Sequence, residues 1–155
     1  MSLEIERKFL VCGEFSNEAT EATEIVQGYL STAPGSTVRI RIRGEKGYIT
    51  VKGKSDESGI GRYEWEKEIP VDEARELLRL CEPYPVEKTR YLVPFRGHIF
   101  EVDVFHGANS GLVMAEIELG SPGEPFDKPS WLGEEVSGDP RYFNYALSVK
   151  PYMSW

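Results

Sequence analysis

From Val38 to Arg43 the chain alternates a β-branched residue with an arginine, without a break. Only an extended strand, whose successive side chains point to opposite faces, gathers these guanidinium groups on one side and the apolar groups on the other. Taken alone, such an ionic face belongs in water at the edge of a sheet. The same i, i+2 charge pattern recurs along the whole chain, and that repetition limits the possible folds far more than any single stretch does.

Near the N-terminus, Glu4, Glu6 and Lys8 share one face of a strand over 3–11, against Leu3, Ile5 and Phe9. The polar stretch 16–23 suits one helical turn capped by Ser16, or a loop. In Glu24–Ser31, placing Val26 and Leu30 outward leaves Gln27, Tyr29 and Ser31 on the polar side. A turn at Ala33-Pro34-Gly35 precedes the arginine strand. A hairpin connection over 44–47 then leads to Tyr48–Lys52, where Thr50 and Lys52 oppose Ile49 and Val51. Beyond a Gly/Ser/Asp-rich loop from Gly53 to Gly61, Arg62, Glu64, Glu66 and Glu68 alternate with Tyr63, Trp65 and Ile69. Asp72 is placed to N-cap a helix running to Cys81, with an apolar stripe of Ala74, Leu77, Leu78 and Cys81, ended by Pro83 and Pro85.

Three further strands follow. Lys88 and Arg90 alternate with Thr89, Tyr91 and Val93, then Glu101 and Asp103 with Phe100, Val102 and Val104. In the last, Glu116 and Glu118 alternate with Ala115, Ile117 and Leu119. Asp139-Pro140 opens a terminal helix carrying Tyr142, Phe143, Ala146, Leu147 and Val149, which reads as a second cover.

Eight mostly antiparallel strands, each with one ionic and one apolar face, predict a mainly β fold with some helix, an α+β chain closed into a barrel. The amphipathic helices need apolar sheet surface to cover, which residues such as Trp65, Tyr91 and Phe100 supply on the outside, so the charged faces turn inward. The basic interior set is then Lys8, Arg39, Arg41, Arg43, Lys52, Arg62, Lys88 and Arg90. The acidic set is Glu4, Glu6, Glu64, Glu66, Glu101, Asp103, Glu116 and Glu118. Closure of the first strand on the eighth brings Glu4 and Glu6 beside Glu116 and Glu118, a cluster that is stable with a hard divalent cation or shared protons. The basic wall suits a polyanion, with arginines forking onto phosphate oxygens.

A length of 155 residues with 40% hydrophobic content predicts one domain over 1–155. A net charge of −8 argues against nucleic-acid or anionic-membrane partners. Cys12 and Cys81, far apart and without zinc spacing, predict free thiols in a reducing cytoplasm, and no segment has the length or composition of a membrane span or a secretion signal. His98 and His106 lack metal-ligand spacing, Trp131 and Trp155 read as packing residues, and no P-loop is present. Gly59-x-Gly61 enters a strand, contrary to a dinucleotide fingerprint.

These residues resemble the CYTH domains of the triphosphate tunnel metalloenzymes. The likeness rests on Glu4-x-Glu6-x-Lys8, Gln27-Gly28-Tyr29-Leu30, Arg39-x-Arg41, Lys52, Glu64, Lys88-x-Arg90, Asp103 and Glu116-x-Glu118. It continues through Trp131-x-Gly-x-Glu-Val136 with Tyr142 and Asn144, and so spans nearly the whole chain. Ser137 stands where the pattern has threonine, and the length is that of short bacterial members. The resemblance implies an eight-stranded antiparallel tunnel that takes a small-molecule triphosphate with Mg²⁺ or Mn²⁺. Carried over, Glu4, Glu6, Glu116 and Glu118 hold metal, with Asp103 near a second ion. Lys8, Arg39, Arg41, Lys52, Arg62, Lys88 and Arg90 hold phosphate. The residues themselves leave the general base open: Glu4, Glu6 or Asp103 through a water, or Tyr29 if the Lys88 ammonium lowers its pKa, with a structural tyrosine as the alternative for Tyr29.

The leading expectation is hydrolysis of inorganic triphosphate to diphosphate and phosphate. An organic triphosphate (thiamine triphosphate, or a nucleotide hydrolysed or cyclised) and a non-catalytic polyphosphate binder are the alternatives, and a homodimer is left open.

Overall fold

The computed structural model describes residues 2–31, 35–54, 57, 60–81 and 85–155. The expected turn at Ala33-Pro34, the Pro83 helix stop and most of the loop between Gly53 and Gly61, with Gly59, lie outside them. Among the described residues the chain forms, in order, β1 (Ser2–Val11), β2 (Glu21–Ser31), β3 (Ser36–Arg43), β4 (Lys46–Gly53), β5 (Gly61–Ile69) and α1 (Val71–Leu78). There follow β6 (Val86–Phe95), β7 (His98–Phe105), β8 (Val113–Glu118), β9 (Leu132–Glu135) and α2 (Asn144–Val149).

The first eight strands close into an antiparallel barrel in the order β1-β5-β4-β3-β2-β6-β7-β8, with β8 returning to β1. Register carries the alternation around the ring: Glu4 lies opposite Arg62, Glu6 opposite Glu118 and Lys8 opposite Glu116. Arg39 lies between Tyr29 and Thr50. A one-residue slip would turn the charged face outward, and the apolar covers on the outside forbid it. β2 starts at Glu21 rather than Glu24, because cross-strand pairing to β6 extends into the polar stretch.

The ninth strand was not legible as one: Leu132-Gly-Glu-Glu has no alternation. It exists because one edge of β1 serves two partners, β5 along Ser2–Ile5 and β9 along Phe9–Val11. Between them Glu6 N donates to Ile60 O, Lys8 N donates to Ser137 Oγ at 2.8 Å, and Val136 N donates to Lys8 O. The edge is thereby satisfied along its length.

α1 covers β2, β3 and β4 on the outside, and its Ala74 is fully buried, as is Ile40 of β3. The approach is close at two glycines. A Cβ on Gly47 would stand 2.6 Å from Ala74 Cβ, and one on Gly28 would stand 2.6 Å from Cys81 Cβ. The helix is shorter than expected and Asp72 does not cap it: the N-cap position falls on Pro70, held extended, and Asp72 lies in the first turn.

The second outer cover is a loop over 120–131 with Phe15, closing Trp131 and Phe126 over Phe9, Val93, Phe100 and Ile117. On β5 Trp65 stays exposed, at 43%, where an outward apolar contact was expected.

The terminal segment also departs from expectation. Asp139 caps a 3-10 turn at Pro140–Tyr142, Phe143 is extended, and α2 follows as a separate short helix. It does not cover the outside but plugs one end of the barrel. The inward positions there are apolar, and Val86, Phe105 and Met114 pack with Val136, Tyr142 and Leu147, with Leu10 against them. The interior therefore has an apolar tier at the plugged end and an ionic tier above it.

Gly47→Ala should lower stability by about 1–3 kcal/mol through overpacking against Ala74. The control is Gly123→Ala, where a Cβ meets nothing within 4 Å. Chemical denaturation of both variants checks the contrast.

Candidate active site

Strand order sorts the interior charges into two arcs. β7, β8, β1 and β5 are contiguous and carry Glu101, Asp103, Glu116, Glu118, Glu4, Glu6, Glu64 and Glu66. β4, β3, β2 and β6 carry Lys52, Arg39, Arg41, Arg43, Lys88 and Arg90 on the opposite side, while Lys8 and Arg62 stand within the acidic arc. Between the arcs lies a cavity of about 170 Å³ whose lining includes all of these residues except Asp103, together with Tyr29, Asn144 and Tyr145. One water needs ~10–15 Å³ by the same measure, so the space suits a ligand of many atoms.

Ion pairs form where the arcs meet. At one seam Lys52 Nζ lies 2.8 Å from Glu4 and 3.4 Å from Glu64, while Arg39 and Arg41 reach Glu66 loosely at 3.8 Å. At the other, Arg90 forks onto Asp103 through Nε at 2.8 Å and Nη2 at 2.9 Å. Lys88 Nζ takes the same carboxylate at 2.8 Å, with both side chains 1% exposed. Burial pushes Asp103 up, but Arg90 and Lys88 outweigh it and hold the carboxyl below its ordinary value. Burial lowers Lys88 to about 8 against the pull of Asp103.

The midpoints of the arcs are more loosely satisfied, Arg39 and Arg41 having only their 3.8 Å approaches to Glu66 as ion pairs among the described residues. On β3, burial and then the neighbouring Arg39 charge push Arg41 down to about 10. The buried Nε–H groups of Arg39 and Arg41 have no acceptor among the described residues. A buried guanidinium with an unpaired donor calls for an anion. Across the cavity, burial and then the Glu116 charge raise Glu6 to about 8. For Glu116, burial is overcome by Lys8, Arg90 and Lys88, and its carboxyl lies well below the usual range. Burial and like charge thus favour the protonated form of Glu6 beside an ionised Glu116.

The four-carboxylate cluster of Glu4, Glu6, Glu116 and Glu118 is thus split. Glu4 turns to Lys52 and Glu64, Glu6 faces Glu116, and Glu118 is exposed. Among the described residues no three Asp, Glu, His or Cys side chains are grouped closely enough to hold a metal ion. The donor chemistry nevertheless fits one: the paired carboxyls of Glu6 and Glu116 offer only oxygen donors, the kind a hard cation takes. Asp103 is the counter-ion of two cations and does not line the cavity.

Tyr29 lines the cavity, but burial raises its pKa despite Arg39, Lys52, Arg62 and Arg41. Its hydroxyl accepts from Gln27 Nε2 at 3.2 Å, so the lowered pKa that a tyrosine base requires is not met. His98 pairs with Glu124 and His106 bonds Thr89, both away from the cavity.

Tyr145, part of the cavity floor, carries no strand periodicity that would have marked it, and Asn144 beside it entered only as part of the family resemblance, without a role. Thr50, fully buried, links Arg39 to Glu66 at 3.2 and 3.1 Å. Its place opposite Arg39 and Glu66 was already implied by the alternation.

A closed β-barrel that sets a carboxylate arc against a guanidinium and ammonium arc defines a class of protein: a tunnel with facing acidic and basic walls. Residues 2–143 match the CYTH domain family, and the chain belongs to it. It is 47% identical over 156 residues to an inorganic triphosphatase of Acetivibrio thermocellus, covering 100% of this chain and 99% of that one. It is 41% identical over 150 residues to an inorganic triphosphatase of Nitrosomonas europaea, covering 94% and 97%. Among solved structures, that of the inorganic triphosphatase NE1496 superposes with a TM-score of 0.70 at 38% identity, covering 96% of each chain. No described helix is long and apolar enough to cross a membrane.

Asp103→Asn leaves Lys88 and Arg90 without their shared counter-ion and should cost about 3–5 kcal/mol of stability. An unchanged denaturation midpoint with weakened divalent-cation binding would return Asp103 to a metal.

The Glu6 carboxyl, raised in the folded state, costs stability once pH exceeds its ordinary value, and the cost grows until pH reaches about 8. With chelator present, Glu6→Gln removes that ionisation, so its stability relative to wild type should rise between about pH 5 and 8. Thermal melts across that range read the change.

Proposed function

We propose that this chain hydrolyses inorganic triphosphate to diphosphate and phosphate with the help of Mg²⁺ or Mn²⁺. The observation that carries this reading is the pair of poorly satisfied midpoints: crowded guanidinium groups whose buried Nε–H donors lack an acceptor among the described residues, facing the Glu6 and Glu116 carboxyl pair across one cavity. An anion alone would satisfy the first and aggravate the second, whereas a polyphosphate with a divalent cation satisfies both. A plain anion binder has no use for the carboxylates.

Family membership implies a divalent-cation requirement. Glu6 and Glu116 would hold the cation, with Glu4 and Glu118 beside them. When bound, it supplies neutralisation of phosphate charge and activation of the attacking water. Arg39, Arg41 and Arg43 on β3 grip the phosphate oxygens, joined by Lys8, Lys52 and Arg62. Arg90 and Lys88 do the same near the floor, where Asp103 fixes their direction. These groups are positioned before the substrate arrives, so they stabilise charge on the equatorial and leaving oxygens without reorganisation.

Tyr29, its pKa raised by burial, holds its own proton and serves as a fixed polar contact. The chain acts as one domain over 1–155, cytoplasmic, on a free small molecule. Its net charge of −8 disfavours nucleic acid and anionic membranes outside the tunnel.

Phosphate release from tripolyphosphate, ATP and thiamine triphosphate, each with Mg²⁺, Mn²⁺ or EDTA, tests the reading. Tripolyphosphate should turn over fastest, EDTA should abolish turnover, and the Glu4→Gln, Glu6→Gln double variant should lose at least about 100-fold, the scale of losing charge stabilisation. Cyclic nucleotide formed from ATP in preference, or tight binding of all three without release, would overturn it.

A further inference from the structure

The plug touches the ionic tier through three consecutive residues. Phe143 lies under Lys8 Nζ at 5.1 Å and Arg62 at 5.9 Å, and Tyr145 meets the Tyr29 ring edge-on at 6.5 Å. Between them Asn144 Oδ1 accepts from Lys88 Nζ at 3.0 Å and from Gln27 Nε2 at 3.1 Å. Lys88 can only donate, so the oxygen of the amide must face it. Both lone pairs of that oxygen are used. The second N–H of Gln27 goes to Tyr29 at 3.2 Å. An ammonium has three N–H bonds. With one on Asp103 at 2.8 Å and one on Asn144, a third remains; Nζ also lies 5.5 Å from the Phe105 ring centroid, and Lys88 lines the cavity.

We propose that Asn144 is a positioning residue: carried into the barrel by the plug, it fixes the Lys88 ammonium so that one N–H remains for the phosphate chain. This rests on the triphosphatase reading for its kinetic consequence, though not for the contact itself. Asp103 alone would leave Lys88 free to rotate about its Nζ–carboxylate contact. The plug is then part of the site as well as its stopper.

Asn144→Leu keeps the volume and loses the acceptor; Asn144→Asp keeps the acceptor. The Leu variant should lose about 10- to 100-fold in kcat with KM little changed, the scale of a misplaced group. The Asp variant should recover most of that loss, and Asn144→Leu should add nothing in a Lys88→Met background. Gly47→Ala, which strains the packing of α1 on the outside of the barrel, should lower Tm with little effect on kcat.

Independently of turnover, a solvent-protected Lys88 ammonium signal in ¹⁵N-lysine-labelled protein should persist in wild type and Asn144→Asp and vanish in Asn144→Leu. Equal kcat in the Leu and Asp variants, additive losses with Lys88→Met, or a protected signal surviving in Asn144→Leu would overturn the proposal. Absence of turnover in wild type, with the NMR pattern as expected, would instead count against the triphosphatase reading.

Discussion

Everything in this molecule depends on the placing of charge inside a closed sheet. In an open sheet the alternate arginines, lysines and glutamates would face water at little cost. Closure removes that option, and each buried charge must then meet a partner or carry a shifted pKa. The chain answers by order of strands. Acidic and basic strands are grouped, so ion pairs form at the two seams where the groups meet, at Lys52 with Glu4 and at Arg90 and Lys88 with Asp103. The centres of the arcs are left under strain, with arginine beside arginine on β3 and Glu6 against Glu116. Fully interleaved charges would have made a more stable barrel and an inert one.

The same closure explains the covers. An inward ionic face requires an outward apolar one, and this face is shielded by α1 on one side and by the Trp131 loop on another. α1 lies close enough that glycine is needed beneath it at positions 28 and 47. The β1 edge holds the design together at its narrowest point. Its first residues close the barrel on β5, and its last bind β9, the strand that leads the chain toward the plug.

The plug changes what the barrel is. Apolar inward positions at one end of β1, β6, β7 and β8 draw in Tyr142 and Leu147, so the tunnel has a floor, and that floor contributes Asn144 and Tyr145 to the cavity. A terminal segment that reads as an outer cover is instead an inner one. Its amphipathic stripe is real, but the apolar surface it meets lies at the open end of the barrel, where the alternation that makes the interior polar has lapsed.

The eight strands, the inward direction of the charged face, the grouping of signs and nearly all of the cavity lining were legible in the sequence. Period-2 alternation is a local property, and a strand has only two faces to choose between. Which charges would pair was not legible. Asp103 belongs to Lys88 and Arg90 rather than to the acidic cluster, and Glu4 turns from Glu116 toward Lys52, because pairing follows register between strands distant in the chain. Nor was the behaviour of Tyr29, whose raised pKa comes from burial that no neighbouring residue in sequence reveals. The role of Asn144 lay equally out of reach, since it depends on where a short helix docks. The sequence by itself determined that a charged interior must exist; the tertiary structure decided which of those charges neutralise one another and which are left to bind, because that division depends on distances set by barrel closure.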